Sequence, residues 1–240
     1  MEVLQKCKVE GMVVKLPNTQ LDRKEYLEVK KAIELIGGKW KGGKVQGFVF
    51  QSDPTDLLNQ IANGEKRNLK KEFQFFATPS KLTKKLVELA ELKQGDTILE
   101  PSAGQGAIIK AINEVCDISP DCFELMDVNR LILAKTDLNY SLIGEDFLKS
   151  DNIKYSKIIA NPPFSKNQDI EHVYKMYEKL HKGGRIVSIM SKHWITSNNK
   201  KETNFRMFLN INDCEYQSVN AGEFKESGTN ISSIIVEIRR

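Results

Sequence analysis

A short apolar run, Thr97-Ile98-Leu99-Glu100, leads into Pro101-Ser102-Ala103-Gly104-Gln105-Gly106 and then into a second apolar stretch over 107–115. Strand, glycine-rich turn, helix is the opening unit of a parallel α/β sheet. It constrains the fold more than any other segment, because small residues there let the backbone approach a ligand closely. The pattern is G-x-G and not G-x-G-x-x-G, which disfavours a dinucleotide. No Lys-Ser/Thr follows, so the turn is not a P-loop.

The segments after it continue the alternation. Residues 122–126 read as the next strand. Glu124 and Asp127 both lie about 20 residues beyond the glycines, where a carboxylate binds ribose hydroxyls. Asp127 has a competing role as N-cap of a helix over 128–138, so Glu124 is preferred. Residues 141–144 form a third strand, ending in Glu145-Asp146-Phe147, an acid and an aromatic suited to an adenine. The plain alternative is an exposed acid beside a core Phe. The run Lys157-Ile158-Ile159-Ala160 is a buried strand followed by Asn161-Pro162-Pro163-Phe164. A helix over 169–181, closed by Gly183-Gly184, and a strand over 185–190 come next. A polar loop follows over 191–201, then a helix over 204–210 and two closing strands over 215–219 and 231–238. His172, isolated in its helix, reads as packing.

The tetrad suits attack by a planar amine, whose lone pair is delocalised into its ring. The side-chain oxygen of Asn161 and the main-chain carbonyl of Pro162 can each accept one amine hydrogen. Those bonds favour a pyramidal nitrogen and strengthen toward the transition state. Pro163 has no N–H, and the Pro-Pro pair is stiff. Phe164 offers a face for a flat ring.

Ahead of this region, residues 1–72 read as a separate small α+β unit. A helix over 22–36 places Tyr26, Val29, Ile33 and Ile36 on one face. Residues 39–50 carry a hairpin signal around Gly42-Gly43. Asp53-Pro54 opens a short helix to residue 62 as N-cap and first helical residue, and 63–71 reads as a basic linker. Thr78-Pro79 has the same form, N-cap and first residue of a helix to residue 91. The net charge is +4; up to Glu72 there are 14 Lys+Arg against 10 Asp+Glu, and from Phe73 onward 22 of each. The whole excess is N-terminal, a mild hint of a polyanionic partner. The four cysteines are scattered and the three histidines do not cluster, which argues for a reduced cytosolic protein without a zinc site. No apolar run approaches the roughly 18 residues of a membrane span, and no signal-peptide pattern opens the chain.

From Phe75 onward these motifs resemble class I S-adenosylmethionine-dependent methyltransferases of the amino-methylating kind. The chain looks most like the small adenine-specific DNA methyltransferases of phages and mobile elements. The residues that carry the likeness are Phe-Phe-Ala-Thr-Pro at 75–79, Glu-Pro-Ser-Ala-Gly-Gln-Gly at 100–106, Gly-Glu-Asp-Phe at 144–147 and Asn-Pro-Pro-Phe at 161–164. The closing Gly-Glu-Phe-Lys-Glu-Ser-Gly-Thr at 222–229 fits as well. The order, cofactor part before tetrad, is that of the gamma group.

The resemblance implies a doubly wound, mostly parallel seven-stranded sheet, Rossmann-like, with an antiparallel last strand, over 73–240. Thr78 and Pro79 would lie near the methionine end of S-adenosylmethionine. Glu100, Ala103, Gly104 and Gly106 would form its loop, Glu124 would hold its ribose, and Asp146 and Phe147 would meet its adenine. Asn161, Pro162, Pro163 and Phe164 would grip the target amine, with Phe224 as a second aromatic against a flipped base. The implied reaction is methyl transfer to the exocyclic N-6 amine of adenine in DNA, without a metal, in the cytoplasm. Methylation of an rRNA base or a protein glutamine is the alternative; a non-catalytic nucleic-acid-binding protein on the same scaffold is the second. Members of the family usually carry a recognition domain after the catalytic one, whereas this sequence reads as sheet to its last residues. Low selectivity, the N-terminal unit or a partner are the sources of site recognition left open.

Overall fold

The computed structural model describes residues 2–50, 53–65, 78–219, 223 and 232–240. Phe75, most of the 222–229 stretch and Phe224 lie outside the described residues. The chain divides into two compact units, Met1–Phe75 and Phe76–Arg240.

The first unit runs α1 (Glu2–Gln5), β1 (Lys8–Glu10), β2 (Val13–Lys15), α2 (Arg23–Leu35), β3 (Lys39–Lys41), β4 (Gly47–Val49) and α3 (Thr55–Ala62). Its strands form an antiparallel sheet in the order β1-β2-β4-β3. Asp22 caps α2 by accepting from the Glu25 N–H at 2.8 Å, and Val29 and Ile33 of that helix are buried with Val14 and Phe48 of the sheet. In α3 the cap is displaced by one residue from the expected position. Pro54 is the N-cap and Asp53 accepts from Thr55 N–H at 2.9 Å. α1, β1 and β2 have no counterpart in the sequence reading, because elements of three or four residues are too short to show a period.

The second unit runs α4 (Ser80–Ala90), β5 (Ile98–Glu100), α5 (Ala107–Asn113), β6 (Asp121–Phe123), α6 (Asp127–Leu133), β7 (Ser141–Gly144), β8 (Tyr155–Ala160), α7 (Gln168–Glu178), β9 (Leu180–Ser191), α8 (His193–Thr196), α9 (Lys200–Ile211), β10 (Cys214–Val219) and β11 (Ser233–Arg239). Its seven strands lie in the order β10-β11-β9-β8-β5-β6-β7. Neighbours from β7 to β9 are parallel, while β11 is antiparallel to both β9 and β10. The expected doubly wound sheet with an antiparallel last strand is therefore present. The central strands are buried on both faces, so they read as continuous apolar runs. Alternation sends Ile158 and Ala160 of β8 to one core with α7 and α9, and Ile159 to the other with α4 and α5.

Several expected boundaries need correction. α7 ends at Glu178, and Gly183, at φ +80°, lies within an irregular stretch of β9 instead of closing the helix. α6 ends at Leu133, where single turns and the Thr136 hydroxyl, donating to Leu133 O, take over. Residues 191–201 are not all loop, since α8 buries Trp194 against Phe205.

Candidate functional site

The chain leaves β5 toward β6 and β7 on one side, then returns to β8 on the other. The strand order therefore reverses between β5 and β8. In open α/β sheets a crevice forms outside the carboxyl ends at that point. The segments after β5, β6, β7 and β8 all emerge there: 101–106, Glu124, Glu145-Asp146 and 161–164.

The loop after β5 is tied down by its neighbour. Ala103 N–H donates to Phe123 O at 2.9 Å, and Gly104 N–H donates to Glu124 Oε2 at 2.6 Å. Gly104 and Gly106 have φ of +57° and +85°, a region that favours glycine. A Cβ at Gly106 would also meet Leu133 and Leu138 at 2.7 Å. Glu124 Oε1 accepts from Met126 N–H at 2.8 Å and from the Asn129 side chain at 3.3 Å. A carboxylate offers about four acceptor positions. Three are occupied here, so one on Oε2 is left for a ligand hydroxyl. Because the Gly104 N–H already faces a carboxylate, a phosphate placed there would meet negative charge. The arrangement fits a ribose-bearing ligand without phosphates.

Glu100, at the end of β5, is 1% exposed, and its Oε2 has no partner among the described residues. Burial, then the Glu124 charge, hold its carboxyl well above the usual range; a hydrogen bond from the Ile109 N–H pulls the other way. Burial and the Glu124 charge both favour the protonated form of the Glu100 carboxyl.

Asp127 is the first residue of α6 and not its cap; Met126 occupies that position, and the Asp127 carboxylate accepts from Val128 N–H at 2.8 Å. Asp146 caps a short 3-10 turn, Phe147–Lys149, through Leu148 N–H at 3.1 Å, and pairs with Lys149 at 3.0 Å. The Phe147 ring is buried, with ring centres 5.6 Å from Phe123 and from His172. Its side chain thus belongs to the core, and Asp146 is the more accessible member of the pair. Burial lowers the His172 pKa, and its Nδ1 lies 2.8 Å from Gln168 O, which suits the packing role.

The tetrad follows β8 directly. Pro162 is buried, while Asn161, Pro163 and Phe164 are partly exposed, Phe164 resting against the core beside α4. Asn161 Nδ2 donates to Thr78 Oγ1 at 3.0 Å, across 83 residues of sequence. Thr78 is therefore not the cap of α4: Pro79 holds that position and its carbonyl accepts from Leu82 and Thr83 N–H. With Nδ2 committed to Thr78, Oδ1 of Asn161 accepts from no donor among the described residues.

The loop beyond the tetrad is anchored separately. Lys166 and Asn167 adopt left-handed φ of 54° and 62°. Asn167 Nδ2 donates to the buried Glu202 at 3.1 Å, and Ser191 donates its hydroxyl to the buried Asp169 at 2.6 Å. Two contributors, Asn129 and Arg130, escaped the sequence reading. Asn129 links Glu124 to Gln105, whose Nε2 lies 3.3 Å from Asn129 Oδ1. Arg130 donates to Glu124 O at 2.9 Å and Leu125 O at 2.8 Å, and pairs with Glu145 at 3.1 Å. The usable signal was an Asn on the same buried helix face as Leu133, four residues on.

No family model matches the chain. Over 208 residues it is 24% identical to the modification methylase CviBIII of Paramecium bursaria Chlorella virus NC1A, covering 76% of this chain and 55% of that protein. The chain thus spans about half the length of this curated relative. Among solved structures, the M protein of the type I restriction enzyme EcoKI superposes with a TM-score of 0.55 at 15% identity, over 90% of this chain and 55% of that one. A putative RNA methyltransferase from Pyrococcus horikoshii gives 0.53 at 16%, over 90% and 98%. A putative class I S-adenosylmethionine-dependent methyltransferase from Listeria monocytogenes gives 0.53 at 11%, over 78% and 66%. The fold is the one these methyltransferases share.

Proposed function

We propose that this chain transfers a methyl group from S-adenosylmethionine to the exocyclic amine of adenine in DNA. One observation carries the reading: at the switch point of the sheet, Thr78 fixes the Asn161 amide so that its oxygen is left to accept. When bound, the cofactor supplies an electrophilic methyl on a sulfonium. It has a ribose and no phosphate, which suits the loop around Gly104 and Glu124. Glu124 holds the ribose through its remaining acceptor position, and the 101–106 loop and Asp146 enclose the rest.

Asn161 Oδ1 and Pro162 O accept hydrogen bonds from the two amine hydrogens, which directs the nitrogen lone pair toward the methyl, and the one proton that the methylated amine sheds passes along one of these bonds to solvent. Phe164 presents its exposed part to the base, offsetting some of the few kcal/mol that unstacking costs. The similarity to a modification methylase and to the M protein of a type I restriction enzyme supports DNA as the acceptor. The fold is equally that of a putative RNA methyltransferase, so RNA belongs in the test.

The experiment is labelled methyl transfer to unmethylated DNA, RNA and protein in parallel, with base analysis of the product. Label is expected on N-6 of adenine in DNA. Asn161→Ala should lower turnover by about 10²–10³-fold, with cofactor affinity within a few-fold of the parent. Label confined to RNA or protein would reject the substrate, and full activity in Asn161→Ala would reject the amine grip.

A further inference from the structure

In the N-terminal unit the buried residues of α1, α2 and α3 share one core with one face of the sheet. Val14 and Phe48 point into that core, and Trp40, paired with Phe48 in register, points the same way, its ring 5.1 Å from Phe48. Alternation therefore sends Lys39 and Lys41 to the opposite face. Register places Lys8 opposite Lys15, and Lys41 opposite Gly47. The β2–β4 ladder pairs Val13 with Val49 and Val14 with Phe48, which brings Lys15 alongside Gly47. One transverse row across all four strands thus reads Lys8, Lys15, Gly47, Lys41. The adjacent row reads Glu10, Val13, Val49, Lys39.

At the usual strand spacing each row is about 14 Å wide. Lys15 pairs with Glu10 at 2.6 Å. Lys8, Lys39 and Lys41 are exposed and make no ion pair among the described residues. Lys8 stands directly opposite Lys15, a like-charge pairing that is destabilising on a sheet and that Glu10 offsets in part through its pair with Lys15. The centre of the row is low, because Gly47 has no side chain; a Cβ there would strike Val13 at 2.7 Å.

We infer that this open sheet face is a docking surface for duplex DNA, contacted through its phosphates by Lys8, Lys39 and Lys41. The choice of DNA rests on the function proposed above; the polyanion itself rests on the charge row. A membrane surface is the poorer fit, since the middle of the face holds Lys15, Gly47 and two half-buried valines and no large apolar side chain to insert.

The test is binding of the full chain to a labelled unmethylated duplex between about 50 and about 200 mM salt. Replacing Lys8, Lys39 and Lys41 by Gln should lower the slope of log affinity against log salt by about 2 to 3, with cofactor affinity unchanged. The same positions as Arg should keep the slope, which separates charge from folding. Arg23→Gln, Lys24→Gln and Lys31→Gln together, on α2 of the same unit, should leave it unaltered. An unchanged slope in the sheet variant, or an equal fall in both triple variants, overturns the assignment. So does a lysine-dependent effect seen with RNA or anionic vesicles but not with duplex DNA. A parent protein that binds DNA with the lysine-dependent slope yet transfers no methyl would reject the proposed reaction and leave this face standing.

Discussion

Thr78 hydrogen-bonds Asn161 instead of the helix it precedes, and this decides which way the amide faces. A single hydrogen bond of this kind contributes about 1 kcal/mol. Thr78→Val keeps the shape and removes the acceptor, so turnover should fall about five- to tenfold with cofactor affinity nearly unchanged. Thr78→Ser should restore it. Equal rates for Val and Ser would show that the contact does not orient the amide. Glu100 gives a second prediction, about pH. Its folded pKa is raised by burial and by Glu124, so the folded state keeps a proton that the unfolded chain sheds. Stability is therefore lost as pH rises from about 4.5 toward the folded value. Glu100→Gln has no such proton, so its melting temperature should gain on the parent's as pH rises through that interval. Parallel melting curves across pH would show that Glu100 is ionised in the fold.

At the level of elements, Arg130 joins the carboxyl ends of β6 and β7, through Glu124 O, Leu125 O and Glu145. Glu145 is largely exposed, so that ion pair contributes little. The two carbonyl contacts come from a charged donor and hold the segment just beyond β6, where Glu124 lies. Arg130→Met should weaken cofactor binding about tenfold and cost about 2 kcal/mol of stability. Isothermal calorimetry and denaturant unfolding read the two separately. Stability loss with unaltered affinity would mean that the clamp does not position Glu124. The elements most visible in the sequence were those with a long apolar run or a clear helical period, such as β8 and α2. Boundaries set by a bulge, as in β9, were not visible, because Gly183 bends the backbone without ending the strand.

At the level of the whole molecule, the two units have separate cores, Val14, Ile33 and Phe48 in one and Ile158, Val173 and Phe205 among those of the other. A ligand that binds the folded form of one unit raises that unit's midpoint alone. Scanning calorimetry should therefore resolve two transitions, with S-adenosylmethionine moving only one. A single transition shifted as a whole would show that the units unfold together. The sequence by itself determined the parallel sheet, the glycine turn and the tetrad at a strand end, since apolar period, turn chemistry and proline stiffness act over a few residues. Only the tertiary structure decided that Thr78 reaches Asn161, that Gly104 is bound to Glu124, that Phe147 turns into the core, and that lysines from three strands share one row. Those depend on strand order and register, which bring together residues that no local pattern connects.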